Sequence, residues 1–231
     1  MKTKKFILQG EKIMIQNKTI YFLIDCSGSM YGSRGDAVNT AMQKVVYEAL
    51  PEIRSKKSDD LALYFMALGF ADNGTGNNVI ELMPKTALDD FNQWDDIDPE
   101  TFNGGTPTGE AIQAVIDDIL GGTRGEPDKN AVSPAIILIS DGLPNGKNPT
   151  YEEVLEKADK TSKKCVSAFR RALRVALGIS VDDAGRESLK KFGSVSKKMS
   201  DAGLSGYYDC SEEYVDEFVE ILKSATVKAS E

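Results

Sequence analysis

Ile20-Tyr21-Phe22-Leu23-Ile24-Asp25-Cys26-Ser27-Gly28-Ser29 is the stretch on which the fold turns. Five apolar, β-branched or aromatic residues run without a charge and then meet Asp25, which is the pattern of a buried strand. The strand ends on Asp-x-Ser-x-Ser, so one carboxylate and two hydroxyls fall on the turn at its carboxyl end. In open α/β sheets that edge is where ligands bind. All three side chains are short oxygen donors of the kind that suits a hard divalent cation.

Composition narrows what the rest of the chain can be. The 231 residues suffice for one well-cored domain, and a hydrophobic content of 41% marks it as globular. Lys and Arg number 28 against 36 Asp and Glu, a net charge of −8, which argues against a nucleic-acid footprint and for cations or basic partners. There is no histidine, so Ser-His-Asp and Cys-His catalysis and the commonest zinc sites are excluded. Cys26, Cys165 and Cys210 are odd in number and widely spaced; they read as free thiols of a reducing cytoplasm. No apolar run is long enough for a membrane span, so no membrane partner is expected. Phe6-Ile7-Leu8 is too short for a secretory signal, and either Met1 or Met14 serves as the native start. The expected division is an N-terminal extension over 1–18, one domain over 19–224, and a polar, frayed tail over 225–231.

Further along, apolar residues from Ala37 to Leu50 repeat at helical spacing, with Asp36 in the first turn and Pro51 weakening the end. Arg34-Gly35-Asp36 spells an adhesion tripeptide, but a helix entry explains it better. Leu61–Phe70 and Val79–Met83 read as strands joined by a turn cluster over 72–78, hence antiparallel, the second closed by Pro84. The six acidic residues between Asp89 and Glu100 read as a solvated surface anchored by Phe91 and Trp94, or as an acidic rim that gathers cations. Asn103-Gly104-Gly105-Thr106-Pro107-Thr108-Gly109 precedes a helix that Gly121-Gly122 stops. Ala135–Ile139 is a near-continuous apolar strand ending on Ser140-Asp141-Gly142. Thr150 and Glu153 form a capping box that opens a helix to about Phe169. Ala172–Ile179 is a strand, short helices follow Asp182 and Val195, Tyr207-Tyr208 is an edge strand, and Ser211 caps a last helix that carries Tyr214 and Phe218. Strands alternate with helices, with one hairpin. The expected fold is therefore α/β: a central, mostly parallel six-stranded sheet with one antiparallel edge strand and helices on both faces.

Asp25, Ser27, Ser29, Thr106 and Asp141 come from three segments and carry matching chemistry. Singly, each has a plain structural role as a cap or turn residue. Jointly, Asp-x-Ser-x-Ser, Gly-Gly-Thr before a helix, and an apolar strand ending in Ser-Asp-Gly resemble the von Willebrand factor A (VWA) domain, a Rossmann-like fold, over about Thr19 to Leu222. Within that family the chain looks most like the small bacterial TerY-like proteins associated with tellurium resistance and stress response. The resemblance implies a metal-ion-dependent adhesion site. Ser27 and Ser29 would bind the metal directly, Asp25 and Asp141 mainly through water, and Thr106 directly or through water by state. The implied cofactor is Mg²⁺, with Mn²⁺ or Ca²⁺ as alternatives. Two carboxylates and three neutral hydroxyls leave such a cation a strong Lewis acid, so a partner's Asp or Glu completes it.

The function this implies is a non-enzymatic protein-binding module in a cytoplasmic stress or tellurium-resistance complex, with a kinase or phosphatase as partner. A metal-dependent phosphohydrolase is the first alternative. Against it, the Asp25 loop lacks the second Asp of the aspartyl-phosphate hydrolases and no Lys or His is placed as proton donor. An adaptor for an AAA+ ATPase is the second. Cys26 is expected to pack rather than react.

Overall fold

The run from Ile20 to Ile24 divides its side chains between two cores. In a computed structural model, described for residues 15–72, 74–122, 125–210 and 215–230, strand β1 spans Gln16–Asp25. Ile20, Phe22 and Ile24 point into one hydrophobic cluster, Tyr21 and Leu23 into the other. Period-two alternation puts successive residues on opposite faces, so a strand covered on both sides must be apolar throughout.

The other strands are β2 (Leu61–Phe70), β3 (Val79–Ala87), β4 (Ala135–Ser140), β5 (Leu173–Ile179) and β6 (Tyr207–Cys210). They form one six-stranded sheet in the order β3-β2-β1-β4-β5-β6. Every pairing is parallel except β2–β3. Of the helices, α1 (Ser33–Lys44), α2 (Leu50–Lys56) and α8 (Val215–Ser230) cover the Ile20–Phe22–Ile24 face. On the Tyr21–Leu23 face lie α3 (Thr108–Ile119), α4 (Tyr151–Leu155), α5 (Ser167–Arg171) and α6 (Asp183–Phe192). The short α7 (Lys197–Asp201) lies between α6 and β6 in the chain and is capped by Ser196. Phe91, Trp94 and Ile97 are buried and the acidic residues between them exposed, so this segment is an anchored, solvated surface.

Several boundaries differ from the sequence reading, each for a physical reason. Residues 16–18 belong to β1 rather than to an extension; residues 1–14, with Met1 and Met14, lie outside the described residues. The first helical stretch, expected to weaken at Pro51 near its end at Ile53, runs on to Lys56. The hydrogen bonding widens to a π turn over Val45–Ala49, with the Leu50 N–H reaching Val45 O, and α2 continues beyond. A proline has no N–H to give, and a π turn just before it absorbs the missing bond.

Strand β3 runs past Pro84 to Ala87, because it is an edge strand and its register slips by one residue there. The Thr150–Glu153 capping box is present, yet α4 stops at Leu155. Beyond it the Asp159 carboxylate takes the N–H and hydroxyl of Thr161, at 2.8 Å each, in place of helical bonding. The proposed Ser211 cap and Tyr214 fall outside the described residues, as does Asn73 of the turn cluster.

The largest correction is at the C-terminus. Residues 225–230 are the last six residues of α8, not a frayed tail, with Ala225, Thr226 and Ala229 buried and the two alanines part of the core cluster that the helix shares with α1 and the sheet. Thr226 escapes the penalty of an unbonded hydroxyl by donating to Leu222 O at 2.8 Å. Truncation after Ser224 is therefore expected to lower stability by roughly 1–3 kcal/mol, read as a drop in the denaturant midpoint; an unchanged midpoint would show that the segment does not pack.

Candidate functional site

Parallel register brings the site together. Ile24 lies opposite Ile139, so Asp25 and Ser140 end adjacent strands side by side. The Asp25 carboxylate is fully buried with both oxygens engaged. Oδ1 accepts from the Ser27 N–H at 2.8 Å, and Oδ2 from the Ser140 hydroxyl at 2.5 Å. The same Ser140 hydroxyl accepts from the Gly142 N–H at 3.3 Å, which shapes the turn that carries Asp141. Ser27 and Ser29 hydroxyl oxygens stand 3.2 Å apart, and the Ser29 hydroxyl donates to Asp141 Oδ1 at 2.9 Å.

A third loop closes against these two. Asn103 N–H donates to Cys26 O at 2.9 Å and Gly28 N–H to Gly104 O at 3.1 Å, stitching the Gly-Gly-Thr segment to the Asp25 loop. Gly105 exchanges two 3.0 Å backbone bonds with Asp72. A side chain at Gly105 would stand 2.9 Å from the Asn145 amide, so only glycine lets that amide come close. Asn145 then clamps Thr106 twice, accepting its N–H at 2.7 Å and giving its own N–H to Thr106 O at 2.9 Å. Thr106 is 6% exposed, and its hydroxyl has no hydrogen-bond partner among the described residues.

Electrostatically the site is short of positive charge. Burial, opposed in part by the Ser140 and Ser27 bonds, pushes the Asp25 carboxyl up to about 6, with Asp141 adding repulsion. One cation answers part of this deficit: Arg34 donates to Asp141 Oδ2 and, at 3.2 Å, to Ser29 O. Arg34 therefore serves the site from the first turn of α1, where Gly35 packs beneath the Phe102 ring and Asp36 N–H bonds Gly32 O. The Arg-Gly-Asp tripeptide is a helix entry and not a presented loop. Cys26 is fully buried, and burial, then Asp25, pushes its thiol up to about 12, so it packs as an apolar group.

Sequence reasoning named Asp25, Ser27, Ser29, Thr106 and Asp141. The hydrogen bonds link Asp25, Ser27, Ser29 and Asp141 directly; Thr106 is tied to them only through its loop, whose Asn103 and Gly104 bond the backbone of Cys26 and Gly28. It missed Ser140, Asn145 and Arg34 as supporting groups. Ser140 was legible beside Asp141; the other two depend on loop closure. The donor set suits a divalent cation held by oxygen: two carboxylates and three hydroxyls, among them Thr106 Oγ with no protein partner among the described residues. Among the described residues no group of three or more His, Cys, Asp and Glu is arranged to hold a metal ion, so this is not a carboxylate cage.

The family model of the von Willebrand factor type A domain matches residues 19–203. The chain belongs to that family. Among solved structures, this VWA domain is similar to the pilus adhesin SpaC from Lactobacillus rhamnosus GG, at 16% identity over 93% of this chain and 31% of that one, with a TM-score of 0.58. Proximal thread matrix protein 1 from the mussel byssus, solved with a zinc-occupied MIDAS motif, is 14% identical over 93% and 49%, with a TM-score of 0.59. The von Willebrand factor domain of the pili tip protein Mfa5 from Porphyromonas gingivalis is 12% identical over 93% and 96%, with a TM-score of 0.54. Identities this low show the shared fold alone. The chain spans about a third to a half of the first two proteins. No curated protein sequence matches it.

Asp25 carries a signed expectation for the protein stripped of metal. Its folded carboxyl holds a proton up to about pH 6, against 3.8 for the ordinary group. The stabilisation is complete below the ordinary value and is lost as pH rises through about 6, up to about 3 kcal/mol. In chelator, Asp25→Asn should be more stable than wild type at pH 7 and lose that advantage at pH 4. A constant difference between the two across that range in thermal melts would refute the assignment.

Proposed function

We propose that this VWA domain is a non-enzymatic module that captures an acidic side chain of a partner protein through a divalent cation. Ser27 and Ser29 would hold the metal through their hydroxyls, Thr106 directly or through water, and Asp25 and Asp141 mainly through water. When bound, the metal supplies a Lewis-acidic position for a partner carboxylate. The chain's own residues orient that position. Ser29 donates to Asp141 and so turns its lone pairs outward. Asn145 holds the Thr106 backbone, and Ser140 and the Ser27 N–H hold Asp25.

The observation that carries the reading is the Asp25 carboxylate: fully buried, beside Asp141, in a ring of hydroxyls that cannot neutralise it. A cation relieves that desolvation, and two carboxylates against a divalent charge leave it attractive to a further anion. The zinc-occupied MIDAS motif of the byssus protein supports a metal at this edge of the fold. Mg²⁺ is the cation proposed, with Mn²⁺ or Ca²⁺ as alternatives, on the hardness of the donors.

Asp25, with no exposure and both oxygens bonded, is poorly disposed as a phosphohydrolase nucleophile. Residues 104–109, 137–144 and 176–179 support a TerY-like role in a bacterial stress or tellurium-resistance complex. The partner proposed there is a kinase or phosphatase. Three unpaired thiols fit a cytoplasmic location. Among the described residues no helix is long and apolar enough to cross a membrane.

Isothermal titration with Mg²⁺ and Mn²⁺ is expected to show one site, weakened at least tenfold in Ser29→Ala and Thr106→Ala, both of which should keep the wild-type melt. Affinity capture in Mg²⁺ should retain a partner that EDTA and either variant release. Capture indifferent to all three would overturn the reading; a hexameric ATPase in the eluate would identify the partner as an unfoldase rather than a kinase or phosphatase.

A further inference from the structure

The end of the sheet opposite the Asp25 edge holds a cavity of about 580 Å³, within the usual range for small-ligand sites. Its floor is the Tyr21 face of the sheet: Thr19 and Tyr64 are register partners on β1 and β2, with Asn17 and Tyr21 two residues to either side of Thr19. The walls are Asp118 and Ile119 of α3, Lys85 of β3, residues 131–134 before β4, and Ala168 and Arg171 of α5. Thr19 is six residues from Asp25 along one strand, about 20 Å, so the cavity is separate from the proposed metal site.

Its polar groups fall into two sets. One set is spent on the protein itself. Tyr21 donates to Asp118 Oδ2 at 2.6 Å, Lys85 pairs with the same oxygen at 3.3 Å, and the Asn17 amide donates to Asp128 at 2.7 Å. The other set has no protein hydrogen-bond or ionic partner among the described residues: the hydroxyls of Thr19, Tyr64 and Ser133, and the Arg171 guanidinium. Thr19 is only 8% exposed, and its hydroxyl, which has no protein partner among the described residues, opens onto the cavity, where a ligand oxygen can take the place of water. Lys85 pairs with Asp118, which leaves Arg171, an exposed residue of the cavity wall, as the lining cation without an ion-pair partner among the described residues. The remaining surface is the Tyr64 ring, with Lys85 Nζ 6.0 Å from its centroid, together with the apolar side chains of Ile119, Pro127, Val132, Pro134 and Ala168.

We infer that this cavity binds a small organic oxyanion with a flat apolar body. Arg171 meets its carboxylate or phosphate, and the hydroxyls of Thr19, Tyr64 and Ser133 supply the remaining hydrogen bonds. A guanidinium matches the two oxygens of either group bidentately, and the ring and proline walls take the body. The site is independent of the divalent cation and of the partner carboxylate it is proposed to capture.

The test titrates the full chain with 2-naphthoate, 1-naphthyl phosphate and the neutral 2-naphthalenemethanol, followed by ligand-observed NMR and calorimetry. One or both acids should bind saturably at one site per chain, at least tenfold more tightly than the alcohol, and the stronger acid identifies the oxyanion. Arg171→Gln should weaken the acids at least tenfold while leaving the alcohol unchanged. Thr19→Val should weaken acid binding with the melting temperature unchanged or raised, since the lost hydroxyl bonds nothing in the protein. EDTA and Ser29→Ala should leave acid binding intact, which separates this site from the metal edge. Failure of both acids to bind wild type, equal acid binding by Arg171→Gln, or loss of acid binding in EDTA would overturn the inference.

Discussion

A carboxylate with no solvent exposure, ending the central strand and bonded at both oxygens, is the constraint on which the rest of the structure depends. Asp25 Oδ2 needs the Ser140 hydroxyl, and that bond exists only because β1 and β4 are parallel neighbours in a register that ends both strands together. Its Oδ1 needs the Ser27 N–H, which turns the chain sharply and sets the two serine hydroxyls beside each other. Sheet order, strand termination and hydroxyl placement are thus consequences of satisfying one buried charge.

The demand propagates outward. The turn after Ser140 places Asp141 where the Ser29 hydroxyl and the Arg34 guanidinium both reach it. Arg34 is available because α1 starts immediately after the serine loop, and α1 is seated by Gly35 under Phe102. The Gly104–Thr106 segment is held between the Cys26 backbone and Asn145, so its conformation depends on two loops from distant parts of the chain. Compact hydroxyls, paired carboxylates and a single arginine leave the site anionic in total yet spare in strong acceptors. That balance favours a cation which still needs a ligand.

The same sheet presents different chemistry at its two ends. The carboxyl end of the strands gathers acids and hydroxyls. Around Thr19 and Tyr64 the Tyr21 face instead opens into a cavity whose unspent groups are donors, led by Arg171. Both rest on the rigidity of β1, which is buried on both faces for most of its length.

Much of this was legible in the residues themselves. An apolar run without polar interruption, read at Ile20–Ile24 and again at Ala135–Ile139, can only be a strand covered on both faces, and strand–helix alternation then dictates a mostly parallel sheet. The residue types at Asp25, Ser27, Ser29, Thr106 and Asp141 were equally plain, because short oxygen donors at strand ends have few other uses in combination. Local signals failed where a tertiary contact outweighed them. A capping box opened a helix that Asp159 cut short, a proline did not close a strand lying at the sheet edge, and a polar C-terminal segment became the last turns of a packed helix because the core cluster took in Ala225 and Ala229. The sequence by itself determined the fold class and the chemistry available at the site. Only the tertiary structure decided which groups meet: Arg34 with Asp141, Asn145 with Thr106, and Thr19 with Arg171 around one cavity. Those pairings depend on through-space distances between segments far apart in the chain, 107 residues for Arg34 and Asp141, which no local pattern encodes.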